Sequence, residues 1–527
     1  MMYADLALIN GNIITMDSKK LRAQAIAIKN QRIIKVGTNN QISQLINDST
    51  KIIQLEGRTV IPGLIDTHIH VAAFGRHLDW LDLTDCKSIK DMQTILKNKI
   101  SQTIPNKWIL GRGWNEKNFQ KNQFPNRYDL DTIAPNNPVV LYNQSGNLCL
   151  VNTEALCLMN INSQKVKLLK ENTIKRDLIT GDPTGILEGK ALDLIWDSIP
   201  EPDQKDLLEL THCACLKILK AGITSIHWMV LSYLEFSIIK KLKEKGIPLR
   251  IYAIIPFEIW KKEIKQTPSH GLKNNTFKIG GIEIAIDGYL ANKTAALFKP
   301  YNDGSYSTGN LFQSSQSLYA SVSDIIQSGF QPVLHAMGDK AVELALEAIE
   351  KLMKKTEHQN TRIRLEQAAL INKNLIDRTK NKKIIISVQP CVINSEFKTW
   401  NAIDNLGSNR ARWLFPLRTL INKKILLIGG SDCPMEPLNP FQGIQKIVDR
   451  KFFPEESITL TEALAMYTIN AAYSTNEEKY KGSIEEGKIA DLTILSIDPT
   501  VIPSNNIKNV EVETTIVGGE IIYNKRV

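Results

Sequence analysis

Cysteine, histidine and long apolar runs are scarce in this sequence, and each scarcity excludes a class of protein. The 527 residues contain 7 cysteines at irregular spacings, which fit neither a disulfide framework nor a C-x-x-C zinc module. No apolar run reaches the roughly 18 residues that a membrane-spanning helix needs. The first residues also lack the basic and apolar regions of a signal peptide. We therefore expect a cytoplasmic protein in a reducing environment, with no membrane partner.

The charge of the chain has no pattern typical of nucleic-acid binding. The formal net charge is +10, because lysine and arginine outnumber aspartate and glutamate. The lysines are scattered singly or in pairs, and no basic segment is interleaved with aromatic residues. Nucleic-acid modules combine a basic surface with a recognisable motif. We therefore interpret the excess charge as a solvated surface and expect no nucleic-acid partner.

Apolar segments and amphipathic segments alternate through the middle of the chain. The amphipathic segments, such as Leu207–Ala221 and Ala341–Lys354, have the periodicity of helices. The apolar segments indicate eight strands, at Val60–Asp66, Ile223–Met229, Arg250–Ile255, Ile282–Asp287, Gln331–Ala336, Ile363–Gln367, Ile384–Gln389 and Ile425–Gly430. Eight such β-α units predict an α/β fold of the TIM-barrel type, (β/α)8, with its functional residues at the C-terminal ends of the strands.

Both ends of the chain contain short strand-like segments separated by turn signals such as Asn10-Gly11. This pattern of short strands predicts a small β-sandwich domain composed of residues 1–58 and 478–527, beside a barrel domain of residues 59–477. The interval at about 75–205 is too long for a single β-α crossover. We interpret it as an insertion that covers the barrel mouth.

Two of the 8 histidines stand two residues apart at the end of the first predicted strand. Alternate residues of a strand point to the same side, so His68 and His70 are expected to converge as a pair of metal ligands. Glu283, His335 and Asp432 stand in or at the ends of three other predicted strands. Each alone has an ordinary explanation, such as a helix cap. Together they predict a metal site at one end of the barrel.

These motifs resemble the amidohydrolase superfamily, and within it the YtcJ-like branch, along nearly the whole chain. The segments that carry the resemblance include IPGLIDTHIH, PVLHAMGDKAV, GGSDCPMEPLNPF and GSIEEGKIADLTIL. Members of this superfamily fold as a metal-bearing (β/α)8 barrel beside a split β-sandwich, and most hydrolyse C–N bonds. The resemblance implies that His68, His70 and His335 are metal ligands. It also implies that Asp432 binds metal and moves a proton.

The sequence departs from the family pattern at four positions. Glu283 replaces a lysine that is carboxylated in several relatives, while Gln367, Cys391 and Asn147 each replace a histidine. A carboxylate at position 283 can still bind a metal, but the amide oxygen of Gln367 is a poorer zinc ligand than an imidazole. We therefore predict one tightly held divalent cation, zinc by preference. A second cation is held loosely, with Gln367 as a weak ligand, or not at all.

Further residues are assigned to the substrate pocket from their positions near predicted strand ends or in the insertion. They are Trp114, Asn147, His227, Asp287 and Cys391. Ordinary structural explanations stay open for some of them. Trp114 fits the core of the insertion equally well, and Cys391 fits a small buried residue better than a metal ligand.

The predicted reaction is hydrolysis of a non-peptide amide or cyclic amide bond in a small molecule. Asp432 would carry a proton from water to the leaving nitrogen, and the metal, His335 or a group from the insertion would polarise the carbonyl. One alternative is a deaminase of the same superfamily. Another is a degenerate barrel that binds a small molecule without turnover, which the three replaced histidines suggest. The sequence identifies neither the substrate nor the oligomeric state, for which a homodimer is the general expectation.

Overall fold

The computed structural model describes residues 3–119, 124–159, 173–264, 276–354, 361–380 and 382–526. The chain divides into two compact units, one formed by Met1–Phe74 with Thr211–Val527 and the other by Gly75–Leu210. The second unit corresponds closely to the predicted insertion at about 75–205. That it covers the barrel mouth stays a prediction. None of the helices in the described ranges is both long enough and apolar enough to cross a membrane.

Eight parallel strands of the first unit form a sheet that curls into a barrel, which confirms the predicted fold class. We number them barrel strands 1 to 8, in sheet order Leu64–Ile69, Ile223–Met229, Arg250–Pro256, Phe277–Ala285, Gln331–Ala336, Ile363–Gln367, Ile384–Val388 and Leu426–Gly429. Two backbone hydrogen bonds join the two ends of the sheet. Asp432 N–H donates to His68 O at 2.8 Å, and His70 N–H donates to Cys433 O at 2.9 Å.

Helices follow most of the barrel strands, and several start at a side-chain cap. Ser232 Oγ, for example, accepts from Glu235 N–H at 3.2 Å and so satisfies a free donor of the first turn. The helices lying within this unit are Asn39–Ser43, Tyr233–Glu244, Phe257–Ile259, Ser315–Gln327, Asp339–Met353, Lys373–Thr379, Pro390–Lys398, Ala402–Leu406, Ser408–Ala411, Leu417–Asn422, Pro440–Val448, Leu460–Met466 and Ile469–Ser474. The unit also has a π-helical segment at Trp260–Ile264 and 3-10 helices at Pro454–Glu456 and Ser504–Asn509.

The prediction of one first strand at Val60–Asp66 is wrong, because these residues belong to two strands in different sheets. Thr59–Pro62 belongs to a terminal sheet, and barrel strand 1 begins at Leu64. The break falls at Gly63, whose N–H donates to Asp491 O at 2.8 Å. A Cβ at this position would lie 2.3 Å from Thr224 Oγ1, so only glycine fits here without a shift. The apolar run therefore continues through the point where the chain changes sheets.

Both chain ends contribute to one six-stranded sheet, in the order Glu520–Asn524, Val512–Val517, Leu492–Leu495, Thr59–Pro62, Asn12–Ile14 and Arg22–Ala23. A four-stranded sheet has the order Arg32–Gly37, Ala25–Lys29, Leu6–Ile9 and Lys51–Gln54. Leu8 and Ile26 of the smaller sheet share a hydrophobic cluster with Val60 and Leu492 of the larger one. The division into a sandwich domain of residues 1–58 and 478–527 beside a barrel domain of residues 59–477 stays a prediction.

The unit Gly75–Leu210 has its own sheet and hydrophobic core. Its six strands have the order Ile174–Arg176, Pro183–Glu188, Leu148–Val151, Val139–Asn143, Ile109–Trp114 and Leu81–Asp82. Its helices are Ile89–Ile100, Arg127–Asp131, Thr153–Leu158 and Ala191–Ser198, with a 3-10 turn at Glu116–Asn118. Two more helices, Val71–Leu78 and Gln204–Lys220, contain the points where the chain passes between the units.

Candidate metal centre

Three predicted ligands converge where the barrel sheet closes. His68 Nε2 lies 3.4 Å and His70 Nε2 lies 3.5 Å from Asp432 Oδ1. One potential ligand atom from each residue lies within 4.8 Å of the others. The two histidines converge because residues two apart on a strand point to the same side. Asp432 joins them because its backbone N–H is bonded to His68 O.

The protonation of this cluster follows from its own contacts. Burial opposes ionisation of Asp432, but hydrogen bonds from His68 and His70 outweigh burial and hold the pKa of its carboxyl well below the usual range. Burial also opposes a charged His68, yet the charge of Glu366 and the hydrogen bond to Asp432 raise the pKa of His68 to about 10. The cluster thus favours an ionised Asp432 beside a protonated His68, which would lose its Nε2 proton on binding a cation and keep the proton on Nδ1.

A buried ion pair on barrel strand 6 supports His68 from the side opposite Asp432. Glu366 Oε1 lies 2.8 Å from His68 Nδ1, and Glu366 Oε2 accepts from Arg364 Nε at 2.5 Å. The side chains of Arg364 and Glu366 are both fully buried. Burial alone would raise the pKa of Glu366, but Arg364 and His68 lower it to about 2. Glu366 therefore stays ionised and accepts the Nδ1 proton of His68.

Glu283 and His335 stand on barrel strands 4 and 5 beside this cluster. Burial raises the pKa of Glu283, while the charges of His68 and His70 partly oppose that rise. Burial likewise lowers the pKa of His335 to about 4, although Glu366 and Asp432 act in the other direction. His335 is therefore neutral near pH 7. Neither of its ring nitrogens has a hydrogen-bond partner within the described ranges.

Gln367, the predicted weak ligand, ends barrel strand 6 in a left-handed backbone conformation with φ 71°. Its side chain is only 3% exposed. Its amide oxygen Oε1 finds no hydrogen-bond partner in the part of the chain that the structure describes. A buried amide oxygen without a partner is costly, so this atom is available to a ligand.

His227 and Asp287, which we assigned to the substrate pocket, are held by protein contacts, and Cys391, assigned there too, is buried. His227 Nδ1 lies 2.9 Å from Arg364 Nη1. Asp287 accepts backbone N–H bonds from Met337 and Gly338 at 2.8 and 2.9 Å, and a third from the loop that follows barrel strand 4. Burial, followed by the charge of Glu436, raises the pKa of the Cys391 thiol to about 12. Cys391 therefore remains a neutral thiol near pH 7, and a role for these residues in substrate binding stays a prediction.

Trp114 and Asn147 belong to the unit Gly75–Leu210. Trp114 is fully buried in the core of that unit, and its Nε1 donates to Leu141 O at 2.8 Å. Packing accounts for this residue without a ligand. Asn147 is exposed and accepts from Ser145 Oγ at 2.6 Å and Asn143 Nδ2 at 3.1 Å. Neither geometry tests the predicted role in the substrate pocket.

Sequence reasoning missed two residues of this site. Glu366 lies within the predicted strand Ile363–Gln367 but was assigned no role, yet it is hydrogen-bonded to His68 across 298 positions of sequence. Tyr289, beyond barrel strand 4, places its ring centroid 5.2 Å from that of His335. A hydrogen bond from Tyr289 N–H to Thr294 Oγ1 at 2.9 Å fixes the turn that presents it. No sequence signal distinguished Glu366, which shares its short strand with Arg364 and Gln367, and none pointed to Tyr289.

The donor set fits a divalent cation. Two imidazole nitrogens and a carboxylate oxygen converge at His68, His70 and Asp432, which is the ligand chemistry of zinc and related ions. The buried nitrogens of His335 and the amide oxygen of Gln367, unpartnered within the described residues, offer further donors. Such a site can bind a metal, hold a water molecule and accept a proton from it.

Comparisons with known proteins agree with this geometry. Residues 51–523 match the amidohydrolase family. The chain is 32% identical to YtcJ of Bacillus subtilis (strain 168), an amidohydrolase by name, over 534 residues that cover 98% of each chain. It is 26% identical to the N-substituted formamide deformylase of Arthrobacter pascens over 546 residues, which cover 99% of this chain and 98% of that protein.

A solved structure has the same fold over nearly its whole length. It is the crystal structure of an uncharacterized metal-dependent hydrolase from Pyrococcus furiosus, with a TM-score of 0.78 and 28% identity. The match covers 94% of this chain and 99% of that one. These likenesses confirm the resemblance carried by the sequence motifs. With a family match over most of its length and a relative at 32% identity, the chain belongs to the amidohydrolase family.

Proposed function

We propose that this protein is a metal-dependent hydrolase that cleaves a non-peptide amide or cyclic amide C–N bond in a small molecule. The observation that carries the proposal is the convergence of His68, His70 and Asp432 within 4.8 Å at the closure of the barrel. Similarity over almost the full chain to an enzyme named N-substituted formamide deformylase supports an amide substrate. We place the enzyme in the cytoplasm, as a homodimer without nucleic-acid or membrane partners.

The metal would be zinc, held by His68, His70 and Asp432, with Glu283 and His335 beside them. When bound, a divalent cation of this kind lowers the pKa of water and polarises a carbonyl oxygen. We expect one tightly bound ion. Gln367 offers only a neutral oxygen to a second one, and a neutral amide binds zinc more weakly than imidazole does.

The side chains of the site have separate tasks in the reaction. Asp432, ionised at neutral pH, accepts a proton from the attacking water and passes it to the leaving nitrogen. His335, neutral at the same pH, would hold the cation or donate a hydrogen bond to the carbonyl oxygen. The carboxylate of Glu283 would balance the positive charge of a bound cation. No group of the protein needs to form a covalent intermediate.

A panel of small amides, cyclic amides and N-formyl compounds, assayed with the zinc-loaded protein, tests this proposal. Formation of a new carboxylate together with a free amine, on two products or on one ring-opened product, supports it, whereas release of ammonia without a new carboxylate identifies a deaminase. Elemental analysis of the purified protein should find about one tightly bound zinc per chain. Two tightly held zincs would contradict the single-metal site, and binding of panel compounds without any turnover would identify a degenerate barrel.

A further inference from the structure

The histidines of the candidate metal centre differ in how firmly the protein holds them. His68 Nδ1 is bonded to Glu366 at 2.8 Å. His70 Nδ1 is buried without a partner, and so are both ring nitrogens of His335, as far as the described ranges extend. A ring that is bonded at one nitrogen has its orientation and tautomer fixed at the other. Of these three rings, His68 is therefore the one whose metal-facing nitrogen is set in advance.

The carboxylate that holds His68 is itself held from several directions. Glu366 Oε1 also accepts from Gln389 Nε2 at 2.8 Å. Arg364 donates to Glu366 Oε2 at 2.5 Å, and its remaining nitrogens reach His227 Nδ1, Thr67 O and Ser387 Oγ. Because Arg364 is bonded to barrel strands 1, 2 and 7, it cannot turn away from Glu366. The direction of the His68 ring is thus set by contacts from several strands.

We propose that Glu366 is a positioning residue of the metal centre, which fixes the Nδ1–H tautomer of His68 and aims Nε2 at the cation, with Arg364 as its support. This inference rests on the proposed function, since it assumes that a divalent cation binds at His68, His70 and Asp432. It gives barrel strand 6 a new role. The strand acts on the metal through Glu366, one residue before Gln367, where the family pattern has a histidine ligand.

Carboxylates that orient metal-binding histidines have a measurable effect on affinity. Their removal costs about 10- to 100-fold in metal affinity in comparable centres. Glu366→Gln keeps the size of the side chain but loses the charge that both Arg364 and His68 require. Glu478→Gln is a matched control, because it makes the same change in another Glu–Arg pair, with Arg362 at 2.8 Å, and removes no bond to Arg364, Glu366 or His68.

The experiment compares the full-length wild type, Glu366→Gln and Glu478→Gln as metal-free proteins. Each is titrated with Zn²⁺ in competition with a chromophoric chelator and separately with Co²⁺, whose visible absorption reports ligand geometry. Thermal unfolding of the metal-free proteins measures any purely structural cost. We expect Glu366→Gln to bind Zn²⁺ about 10- to 100-fold more weakly, with shifted Co²⁺ bands. Glu478→Gln should stay within about twofold of the wild type.

The outcomes separate this inference from the proposed function. A wild type that fails to bind either cation overturns the proposed function and this inference with it. A wild type that binds tightly, with a folded Glu366→Gln variant that matches its affinity and its Co²⁺ spectrum, overturns the positioning role alone. If Glu366→Gln does not fold, Glu366→Asp takes its place, since it keeps the charge beside Arg364 but draws the carboxylate back from His68. Unchanged affinity in that variant also overturns the positioning role.

Discussion

At the scale of single residues, the surroundings of each histidine decide whether it carries charge. His68 has carboxylates at both ring nitrogens, Glu366 at 2.8 Å and Asp432 at 3.4 Å, and its pKa is raised to about 10. His335 is equally buried, but its nearest carboxylate oxygen, that of Asp287, lies 4.0 Å away, and its pKa falls to about 4. Two buried histidines of one site therefore differ: the ring of His68 is held by carboxylates, whereas the ring of His335 is neutral and its nitrogens have no partner among the described residues.

Replacement of Asp432 tests the assignment of the proton carrier. Asp432→Asn keeps the shape of the side chain but removes its capacity to accept a proton, so kcat should fall by about 10²- to 10⁴-fold. The fold should persist, because the backbone bond from position 432 to His68 O does not depend on the side chain. Steady-state kinetics with a substrate found in the panel gives kcat, and circular dichroism checks the fold. Wild-type turnover in this variant would mean that another group carries the proton.

Glu396, on the helix Pro390–Lys398, makes stability depend on pH. It is 6% exposed, its Oε2 finds no partner among the described residues, and burial, followed by the charge of Glu436, raises its pKa from 4.5 to about 7. Between those values the folded state keeps a proton that the unfolded chain releases. Its contribution to stability is therefore complete below about pH 4.5 and is lost as the pH rises through about 7.

Glu396→Gln should remove this pH dependence, since an amide of the same shape does not ionise. At pH 8 the variant should be more stable than the wild type, by about 3 kcal/mol at most, and at pH 4.5 the advantage should vanish. Urea unfolding at the two pH values measures the difference in free energy. An advantage of equal size at both pH values would show that packing, and not ionisation, separates the two proteins.

At the scale of elements, the sequence predicts the barrel strands well because each is buried as a whole. Barrel strands 2, 5 and 6 coincide with their predicted ranges. Parallel strands covered on both faces are usually rich in apolar residues, although strand 6 also contains Arg364, Glu366 and Gln367. The same property hid the break at Gly63, where one apolar run serves two sheets. Ligands at strand ends were predictable from the fold. The bond between Glu366 and His68 was not, because no local spacing records a contact across 298 residues.

Gly430 controls how closely barrel strand 8 approaches barrel strand 1. A Cβ at position 430 would lie 2.5 Å from His68 N and 2.6 Å from His68 Cβ. Gly430→Ala should therefore displace His68, lower the free energy of unfolding by about 1–3 kcal/mol and weaken metal binding. Chelator competition and urea unfolding measure the two effects.

Gly146→Ala is a control for the general cost of losing a glycine. Gly146 has a positive φ of 71° and would place its Cβ in open space, within the other unit of the chain. The Gly146→Ala variant should lose some stability, because alanine disfavours a backbone with positive φ, but its metal affinity should equal that of the wild type. Equal metal affinities in wild type and Gly430→Ala would mean that His68 tolerates the closer strand.

At the scale of the whole molecule, a salt bridge joins the C-terminal segment to the start of barrel strand 3. Arg250, the first residue of barrel strand 3, donates to Asp491 through Nε at 2.6 Å and Nη2 at 2.9 Å. Asp491 also accepts from Gly518 N–H at 2.8 Å. The sequence indicated that both ends are rich in strands. It gave no sign of this pairing, which depends on a salt bridge between residues 241 positions apart.

Removing one partner of this pair should cost more than removing both. Asp491→Asn leaves the guanidinium of Arg250 buried beside a neutral amide, so the free energy of unfolding should fall by about 3–5 kcal/mol. The double variant Arg250→Met, Asp491→Leu should recover part of that loss, because no unpaired charge remains. Glu511→Gln breaks the exposed pair with Lys525 in the same terminal segment and should cost far less than Asp491→Asn, because solvent screens that pair. Shifts of the urea midpoint measure the stability of all three variants. If Asp491→Asn loses as little stability as Glu511→Gln, the buried pair does not anchor the C-terminal segment.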